Sequence, residues 1–475
     1  MTGRWIDTLD RAAAPHVAVD DGVERLTYGE LRSQARRHAA VLRETYGGGH
    51  TMVLPAASTT AFVRTLLAIM WSGNVPVPVD PALPASALAY ITEKSRAVAT
   101  IEPLGPPDPD APEADHDSAG QPALIVFTSG TSGFPKGVII SDANLLHACR
   151  TIAGYLGYAG HPSAAVALPL FYSYALISQV LCQLSVGGRV RLFSELRNPL
   201  KFAAAVEADG LETFCGVPTT YHALCAFHAL RPLSMPSVRV LCSAGAAMDR
   251  TLLDTIRTIF PNARFFNNYG MTEACPRIAF IRDDDPRFGE LTCGRPMEGV
   301  DVRVIDAETE RELPDGEQGM LVVRGPNVTS GYLNDPELTQ LAFTASGFLK
   351  SGDMAYLDRG YIFIVGRYDD VFSSGGEKVA PLEIERALNS CPGVEASAVT
   401  GVPDPQRGMV PVAFVKTADD VTRQQIVDHI GARLSRSKIP LRFYRVSGFP
   451  TTSNGKLQRK RLSPSDPTHV LNELR

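Results

Sequence analysis

The sequence predicts an α/β protein: a large N-terminal domain of layered sheets and helices, followed by a smaller C-terminal α+β domain. Its 475 residues are too many for a single hydrophobic core. Short apolar runs alternate with helical patterns through most of the chain, as in α/β layers. From about Gly366 the order of the predicted elements changes: one helix, two strands and a second helix follow, which is enough for a domain of about 105 residues.

The first elements follow from apolar periodicity. Residues 51–57 read as a strand, and residues 75–81 as a second strand that ends in a turn. Between them, residues 60–73 place apolar side chains on a helical repeat and end at a glycine. Residues 141–158 begin with Ser-Asp and carry one apolar face, which predicts another helix. The proline-rich, acidic stretch 103–122 is predicted to be a surface loop.

The C-terminal elements are equally regular. "PLEIERALNS" has Pro381 at the first helical position and Glu383 and Glu385 in the first turn, where acidic side chains favour a helix. "EASAVTGV" and "VPVAFVK" read as strands, and residues 422–435 as a helix with one apolar face.

Composition excludes several classes of protein. A formal net charge of -5 leaves no basic footprint for nucleic acid and no polybasic surface for acidic membranes. The N-terminus lacks the apolar segment of a signal peptide. The charge-free region 151–188 contains proline, glutamine and glycine, so we expect buried strands and helices and no membrane span. Eight scattered cysteines without a C-x-x-C pair argue against zinc and disulfides and favour the reducing cytoplasm.

The segment "IVFTSGTSGFPKGV", residues 125–138, is the first candidate for chemistry. Its glycine-rich part joins a strand at 123–127 to a strand at 137–140, whereas dinucleotide and Walker loops open a helix. Glycines and hydroxyl residues can direct N–H groups and Oγ atoms at a polyphosphate, with Lys136 as a mobile counter-charge. Taken alone, the segment could equally be a flexible surface hairpin.

This segment closely resembles the signature of the AMP-forming adenylating enzymes, the superfamily of acyl- and aryl-CoA ligases, adenylation domains and beetle luciferases. Further blocks that resemble the superfamily follow in the same order, from about Leu26 to the end. They are "LAIMWSGNVPVPVDPALP" (67–84), "VALPLFYSYAL" (166–176), "NNYGMTEACP" (267–276), "VVRGPNVTSGYLN" (322–334), "FLKSGDMAYLD" (348–358), "GRYDDVFSSGGEKVAPLEIE" (366–385) and "FPTTSNGKLQRKRL" (449–462).

The resemblance implies an ATP site. Tyr269 would stack on adenine, the small residues of "SAGAAM" would lie near it, and Asp353 and Arg367 would bind the ribose hydroxyls. Without the resemblance, these would read as a core tyrosine, a turn aspartate and a surface arginine. The implied ATP-binding residues are Thr128, Ser129, Gly130, Thr131, Ser132, Gly133, Lys136, Gly245, Ala246, Tyr269, Gly270, Asp353 and Arg367.

The resemblance also implies three catalytic residues. Thr272 would hydrogen-bond a phosphate oxygen, and Glu273 would supply the hard oxygen ligand that Mg²⁺ needs beside a triphosphate. Lys456, in an Asn-Gly turn, would enter the active site and bind both the substrate carboxylate and the α-phosphate. A compact ammonium on a flexible stem suits that electrostatic role.

By the same resemblance, Asp369 is the hinge between an N-terminal domain of residues 1–368 and a mobile C-terminal domain of residues 369–475. The small domain would swing between a state that presents Lys456 and a state that presents Gly375 and Gly376 for thiol attack. Glycine there lets a pantetheine arm pass close to the backbone.

The acid is harder to predict. Residues 171–181 contain no carboxylate to pair with an amine, so an α-amino acid is not expected. "FYSYAL", "YGMTEACP" and "SSGGEKVAP" resemble aryl- and acyl-CoA ligases, although Tyr172 replaces the histidine common in the superfamily, which would narrow the pocket and add a hydroxyl. The predicted pocket residues are Tyr172, Tyr174, Ser178, Cys215, Gly216 and Cys275.

The implied reaction has two steps: a carboxylate attacks the α-phosphorus of Mg·ATP, and a thiol, most simply that of coenzyme A, then displaces AMP. It needs positioning and charge neutralisation, so no serine or cysteine is assigned a covalent role. One alternative is loading of a separate acyl carrier protein, since no carrier domain follows Arg475. Others are a non-thiol acceptor and a catalytically silent nucleotide-binding relative; the presence together of Lys136, Glu273, Asp353, Arg367 and Lys456 argues against the silent relative.

Overall fold

The computed structural model describes residues 3–116, 120–129, 135–194, 196, 198–245, 250–374, 377–404, 408–418, 421–451, 457–466 and 468–474. The chain forms two compact units. The first consists of residues 1–302, 323–349 and 360–362; the second consists of residues 303–322, 350–359 and 363–475. The second unit thus takes in segments that precede Asp369, and a hinge at that residue stays a prediction.

Most strands in the described part of the chain are short, and β17, β21 and β22 are longer, with 10, 11 and 10 residues. They are β1 Val17–Asp20, β2 Arg25–Thr27, β3 Thr51–Pro55, β4 Val75–Val79, β5 Ala99–Thr100, β6 Leu124–Ser129, β7 Pro135–Ile140, β8 Ser163–Val166, β9 Arg189–Leu192, β10 Thr213–Gly216, β11 Val240–Ala244, β12 Arg264–Tyr269, β13 Ala279–Arg282, β14 Arg295–Pro296, β15 Asp301–Ile305, β16 Gly319–Arg324, β17 Leu349–Asp358, β18 Tyr361–Arg367, β19 Phe372–Ser374, β20 Glu377–Val379, β21 Val394–Asp404, β22 Gly408–Thr417, β23 Arg442–Val446 and β24 Val470–Glu473.

The helices alternate with these strands. They are α1 Tyr28–Tyr46, α2 Thr60–Trp71, α3 Ala85–Ser95, α4 Asp142–Leu156, α5 Ser173–Ala175, α6 Cys182–Ser185, α7 Pro199–Ala208, α8 Pro218–Leu230, α9 Arg250–Ile259, α10 Pro336–Ala342, α11 Pro381–Asn389 and α12 Arg423–Gly431. A π-helical turn, Leu176–Leu181, joins α5 to α6, and short 3₁₀ turns cover Trp5–Arg11, Thr272–Ala274, Tyr368–Asp370, Arg436–Lys438 and Arg459–Arg461.

The main sheet of the first unit has nine strands in the order β14-β13-β12-β11-β10-β8-β9-β1-β2. Its six central strands, from β12 to β1, are parallel, and the outer pairs are antiparallel. The first unit also contains the parallel sheet β4-β3-β5 and the antiparallel hairpin β6-β7. The predicted α/β class is confirmed.

The predicted elements near the N-terminus are confirmed as β3, α2, β4 and α4. Helix α2 is buried on all sides, which explains a pattern that is more apolar than amphipathic. The first turn of α4 is fixed by a reciprocal cap, in which Ser141 Oγ accepts from the Asn144 N–H and Asn144 Oδ1 accepts from the Ser141 N–H. Between Pro103 and Pro122, the described residues form neither helix nor strand, as predicted.

Behind strands β10 to β12, helices α7 to α9 cover a core built around Phe214, Tyr221, Ile256 and Phe265. Residues 151–188 form strands and helices that are largely buried, as the charge-free sequence of this region predicted. None of the helices in the described part of the chain has the length and apolar character needed to cross a bilayer.

The second unit carries the predicted small α+β fold. Strands β20, β19, β22, β23 and β24 form a sheet in that order, with β21 also paired to β22, and α11 and α12 bury Ile384, Leu388, Ile426 and Ile430 against it. Another sheet, β15-β16-β17-β18, has most of its residues in this unit. The predicted helices at 381 and 422 and the two strands between them are confirmed.

Candidate active site

The carboxyl ends of three parallel strands bring the predicted site segments of the first unit to one edge of the sheet. Strand β10 ends at Gly216, β11 at Ala244 and β12 at Tyr269, and Cys215 of β10 is in register with Cys242 of β11. Open α/β sheets bind ligands beyond the carboxyl ends of their strands. The turns that follow these strands therefore form the natural place for a nucleotide and its co-substrate.

The strands that flank the glycine-rich residues, β6 and β7, pair antiparallel, and the sequence predicted a strand on each side. In the ladder of β6 and β7, Thr128 lies opposite Lys136, so the hydroxyl and the ammonium stem stand at the same level of the hairpin. Lys136 is half-buried, and its Nζ lies 5.6 Å from the centroid of the Tyr332 ring. The ring partly compensates the lysine charge while the ammonium stays available for an anion.

Glu273 is the best-defined acidic group of this edge. Its side chain is only 9% exposed, and its Oε1 accepts a hydrogen bond of 2.9 Å from the Tyr332 hydroxyl. Burial, together with the neighbouring Glu273 carboxylate, raises the pKa of Tyr332 above its ordinary value, so the phenol remains a donor at neutral pH. Glu273, Tyr332 and Lys136 thus form a contiguous group in which a neutral phenol lies between a carboxylate and an ammonium.

Hydrogen bonds hold the segment "GPNVTSGYLN", residues 325–334, between strand β7 and the turn after β12. The Leu333 N–H donates to the Gly137 carbonyl at 2.8 Å, and the Thr329 N–H donates to the Glu273 carbonyl at 2.8 Å. The buried Asn327 amide donates to the carbonyls of Ala274 (2.9 Å) and Arg277 (2.7 Å). This segment therefore connects strand β7 to the turn that carries Thr272 and Glu273.

Thr272 is connected to a second motif. Its Oγ1 lies 2.7 Å from Oγ of the buried Ser173, in the block that also supplies Tyr172 and Tyr174. Either hydroxyl can donate, so the pair can rotate to present a donor to a bound oxygen. Tyr332 contacts both Glu273, the neighbour of Thr272, and Lys136, so the structure brings these three predicted residues together.

The donor set suits Mg²⁺. Among the described residues, no group of three or more His, Cys, Asp or Glu side chains could form a metal cage. One buried carboxylate, Glu273, lies in a cluster that also carries the Lys136 cation. Mg²⁺ in nucleotide sites keeps several waters and is bound by one or two carboxylates plus the substrate phosphates, so Glu273 fits as its protein ligand.

The two residues predicted to bind ribose, Asp353 and Arg367, both lie in the second unit. Asp353 is 9% exposed, and its Oδ1 accepts from Arg367 Nη1 at 2.9 Å. The Asp353 N–H donates to Ser351 Oγ at 3.0 Å. Between them, Gly352 has φ +73°, and a Cβ at this position would lie 2.8 Å from Arg367 Nη2. Glycine is required for both the backbone conformation and the approach of Arg367.

Three of the predicted acid-pocket residues gather around an arginine that the sequence did not single out. Arg277 is 1% exposed, its guanidinium carbon lies 5.4 Å from the centroid of the Tyr174 ring, and its Nη2 lies 3.4 Å from Ser178 Oγ. Cys215 is close enough for a hydrogen bond from Cys242 and the Arg277 charge to lower the pKa of its thiol. Ser178 lies in the π-helical turn, a local widening that often occurs at functional sites.

The remaining predicted pocket residues are less directly placed. Tyr172 is half-buried with its ring against Phe171. Gly216 packs on the Tyr221 ring, where a Cβ would lie 3.1 Å from the ring. Cys275 is fully buried, and burial raises the pKa of its thiol. Burial likewise raises the pKa of Cys182 and Cys242, so these thiols stay protonated and are poor nucleophiles.

The adenine segment is partly described. Tyr269 is half-buried at the end of β12, and its carbonyl accepts from the Ile278 N–H at 2.9 Å. A Cβ on Gly270 would collide with the Pro276 carbonyl, so this glycine is explained by packing of the turn. Gly245 has φ +96°, a conformation that favours glycine.

Several predicted residues lie outside the described part of the chain, and so does the side chain of Ser129. Their roles stay predictions. They are Gly130, Thr131, Ser132, Gly133, Ala246, Gly375, Gly376 and Lys456. Asp369 lies in the 3₁₀ turn Tyr368–Asp370.

Sequence reasoning missed Tyr332, Ser173 and Arg277. Tyr332 and Ser173 stood inside quoted motifs, and a hydroxyl beside a phosphate-binding block was the available signal. Arg277 directly follows "YGMTEACP", and a charged residue next to an otherwise apolar run was the signal there.

The parallel α/β sheet, with the Lys136–Tyr332–Glu273 contacts beyond its strand ends, is the arrangement expected of a nucleotide-dependent enzyme. The AMP-binding enzyme family matches residues 8–107 and 102–333, and the AMP-binding enzyme C-terminal domain matches residues 383–456. The chain belongs to the AMP-binding enzyme family, as the sequence motifs predicted, and it is an AMP-forming acid–thiol ligase of the acyl-CoA synthetase type.

Similar proteins are CoA ligases. A feruloyl-CoA synthase of an Amycolatopsis species is 33% identical over 482 residues, covering 96% of this chain and 97% of that protein. A 2-succinylbenzoate–CoA ligase of Enterococcus faecalis is 32% identical over 340 residues, covering 71% of this chain and 68% of that protein. The crystal structure of ATP-bound MatB from Rhodopseudomonas palustris superposes with a TM-score of 0.87 at 27% identity, covering 97% and 98%.

Proposed function

We propose that this enzyme activates an aryl or acyl carboxylic acid with Mg·ATP, releases pyrophosphate and transfers the acyl group from the adenylate to coenzyme A. The observation that carries the proposal is the Lys136–Tyr332–Glu273 group beside Thr272. It supplies a cation, a metal ligand and hydroxyl donors where a triphosphate has to be neutralised.

The described residues have distinct parts in this reaction. Lys136 neutralises phosphate charge, and Thr272 and Ser173 donate to an oxygen near the reacting centre. Tyr332 holds the Glu273 carboxylate in one orientation for the metal ion, which offsets charge on the phosphates when bound. Asp353 accepts from both ribose hydroxyls, with Arg367 fixing the carboxylate. Lys456 would stabilise the charge that moves towards pyrophosphate.

The relatives support coenzyme A as the acceptor, because the names of both the feruloyl-CoA synthase and the 2-succinylbenzoate–CoA ligase include it. Both names also denote aromatic acids, which supports an aryl acid as the first class to test. Absence of a carboxylate in residues 171–181 supports an acid without an α-amine.

The test is pyrophosphate release from Mg·ATP over a panel of aryl, medium-chain and α-amino acids, each with and without coenzyme A. We expect release with a restricted set of acids, stimulation by coenzyme A and formation of the acyl-CoA. Lys456→Ala should lose at least about a hundredfold in release, the usual effect of removing an electrostatic catalyst.

The matched control is Lys460→Ala, which removes a lysine four positions away and should leave release unchanged. If pyrophosphate release does not depend on coenzyme A and a phosphopantetheinylated carrier protein becomes acylated, the carrier protein and not coenzyme A is the acyl acceptor. No release with any acid, by an enzyme that still binds ATP, would refute the proposal.

A further inference from the structure

Arg277 presents a positive charge that the described protein does not neutralise. It is 1% exposed, and its Nη1 is buried without a hydrogen-bond partner in the described part of the chain. Its side chain contacts the Ser178 hydroxyl through a long hydrogen bond of 3.4 Å, and it lies over the Tyr174 ring. Within the described ranges, no carboxylate forms an ion pair with this guanidinium, and the titratable groups that act on it most strongly are tyrosines and cysteines.

Arg64 shows how this fold treats a buried arginine that has only a structural role. It is also 1% exposed, but its Nη1 donates to Glu24 Oε1 and Gln34 Oε1, both at 2.9 Å. Its Nε and Nη2 donate to the Leu104 carbonyl at 3.1 and 2.7 Å. The two arginines are equally buried, yet only Arg64 is paired with a carboxylate.

An unpaired buried charge is among the most destabilising features a folded chain can carry. The Tyr174 ring lies against the Arg277 guanidinium, and its hydroxyl is also buried without a hydrogen-bond partner among the described residues. Two unsatisfied donors on residues that are in contact, and that follow β8 and β12 at the carboxyl edge of the sheet, indicate a ligand that accepts hydrogen bonds and carries negative charge.

The contacts of Ser173 and Tyr174 bear on which part of a substrate Arg277 could meet. Ser173 and Tyr174 are consecutive residues of α5: Ser173 contacts Thr272, on the reacting side, and Tyr174 contacts Arg277. The carboxylate being activated has to reach the phosphate side, near Thr272. Arg277 is therefore available to a different group of the same acid.

We propose that Arg277 binds a second carboxylate of the substrate, so that the enzyme activates one end of a dicarboxylic acid while the other end stays paired with the guanidinium. This inference rests on the proposed function and specifies its substrate class. The Tyr174 hydroxyl donates to the same carboxylate, and a planar guanidinium suits bidentate recognition of it. No covalent step involves Arg277, which acts through binding and specificity.

The experiment compares three matched acids of each size: the dicarboxylic acid, its monomethyl ester and the monocarboxylic acid with a methyl group at the distal end. Succinate, terephthalate and homophthalate supply an aliphatic and two aromatic series. We expect pyrophosphate release from the diacid to exceed release from its ester at least about a hundredfold in kcat/KM in one series, the scale of a desolvated charge pair.

Arg277→Met removes the charge at similar volume. We expect it to lose the preference, mostly by a drop of about a hundredfold or more on the diacid, while the ester is used as well as before or better. Arg277→Lys keeps a charge and should retain part of the preference. Thermal unfolding provides a second measurement: Arg277→Met should raise the Tm of the ligand-free enzyme, whereas Arg64→Met, which breaks a satisfied pair, should lower it.

The outcomes are distinguishable. A wild-type enzyme that uses monocarboxylic acids as well as diacids, or an Arg277→Met variant that loses all acids equally, overturns the inference and leaves the proposed function standing. A lower Tm for Arg277→Met than for the wild type also contradicts it, because the arginine would then be paired within the protein. No pyrophosphate release from any acid refutes the proposed function and the inference together.

Discussion

Replacement of Tyr332 by phenylalanine tests whether the Glu273 carboxylate is held in place for Mg·ATP. Tyr332→Phe removes only the hydroxyl that donates to Glu273 Oε1 at 2.9 Å and keeps the ring next to Lys136. The lysine environment is therefore unchanged, and any effect reports on the hydrogen bond to the carboxylate.

The magnitude follows from the burial of the pair. A hydrogen bond to a charged group contributes about 2 kcal/mol, and Glu273 is 9% exposed, so little solvent replaces the lost donor. If the bond serves to orient the metal ligand, kcat/KM for Mg·ATP should fall about 30-fold, the rate equivalent of that energy. The Mg²⁺ concentration for half-maximal activity should rise in parallel.

The assay is initial-rate pyrophosphate release at varied Mg·ATP and varied free Mg²⁺, with unfolding by urea measured on the same preparations. Tyr46→Phe, on the surface of α1, is the matched control and should have no effect. Because the pKa of Tyr332 lies above its usual value, the wild type should show no loss of activity from this group up to pH 9. Unchanged kinetics accompanied by a loss of about 2 kcal/mol in unfolding free energy would refute a positioning role.

Three further predictions concern the second unit and the edge of the main sheet. Gly352→Ala should raise KM for ATP about tenfold, since a Cβ would press on Arg367. Its control is Gly360→Ala, with a similar φ of +80° and no neighbouring atom within 4 Å; both variants should lose about 1 to 2 kcal/mol of stability, but only Gly352→Ala should change KM. Equal KM values in both variants would contradict the ribose role. Arg459, three residues after Lys456, pairs with Glu385 and Asp370. Arg459→Met should therefore lower the stability measured by thermal unfolding by about 3 kcal/mol and slow pyrophosphate release. Normal release would show that these ion pairs do not position Lys456. Burial opposes ionisation of Asp20, yet the Gly22 N–H and the Arg25 and Arg191 guanidinium groups outweigh it and lower its pKa, so Asp20→Asn should cost about 3 kcal/mol at pH 7. A lowered folded-state pKa stabilises above the unfolded value, so urea titrations should show the difference between wild type and Asp20→Asn shrinking as the pH falls below about 4; a difference independent of pH would contradict the assignment.

The sequence predicted the elements that depend on local patterns. Periodic helices such as α2 and α4 and the paired strands around Lys136 are found as predicted, because caps and alternation are local signals. The ribose-binding role of Asp353 and Arg367 stays a prediction. Three features were not predicted because they arise from contacts between distant segments. The Tyr332–Glu273 bond joins residues 59 positions apart, and the Ser173–Thr272 and Ser178–Arg277 contacts each join residues 99 apart.

Burial is the other property that the sequence does not display. Arg64 and Arg277 look alike in sequence, each next to apolar residues, and only the fold shows that one is paired with Glu24 and the other has no carboxylate among the described residues. The same holds for the cysteines, whose raised or lowered pKa values depend on packing between β10, β11 and the helix after β8.

The most direct test of the central claim is to follow oxygen from the acid. An acid that the pyrophosphate-release panel identifies as a substrate is prepared with ¹⁸O in its carboxylate and incubated with the enzyme, Mg·ATP and coenzyme A, and the products are analysed by mass spectrometry. Attack of the carboxylate on the α-phosphorus predicts one ¹⁸O in each AMP, with acyl-CoA and unlabelled pyrophosphate formed in equal amounts. Formation of ADP, or label in inorganic phosphate, would contradict an AMP-forming mechanism.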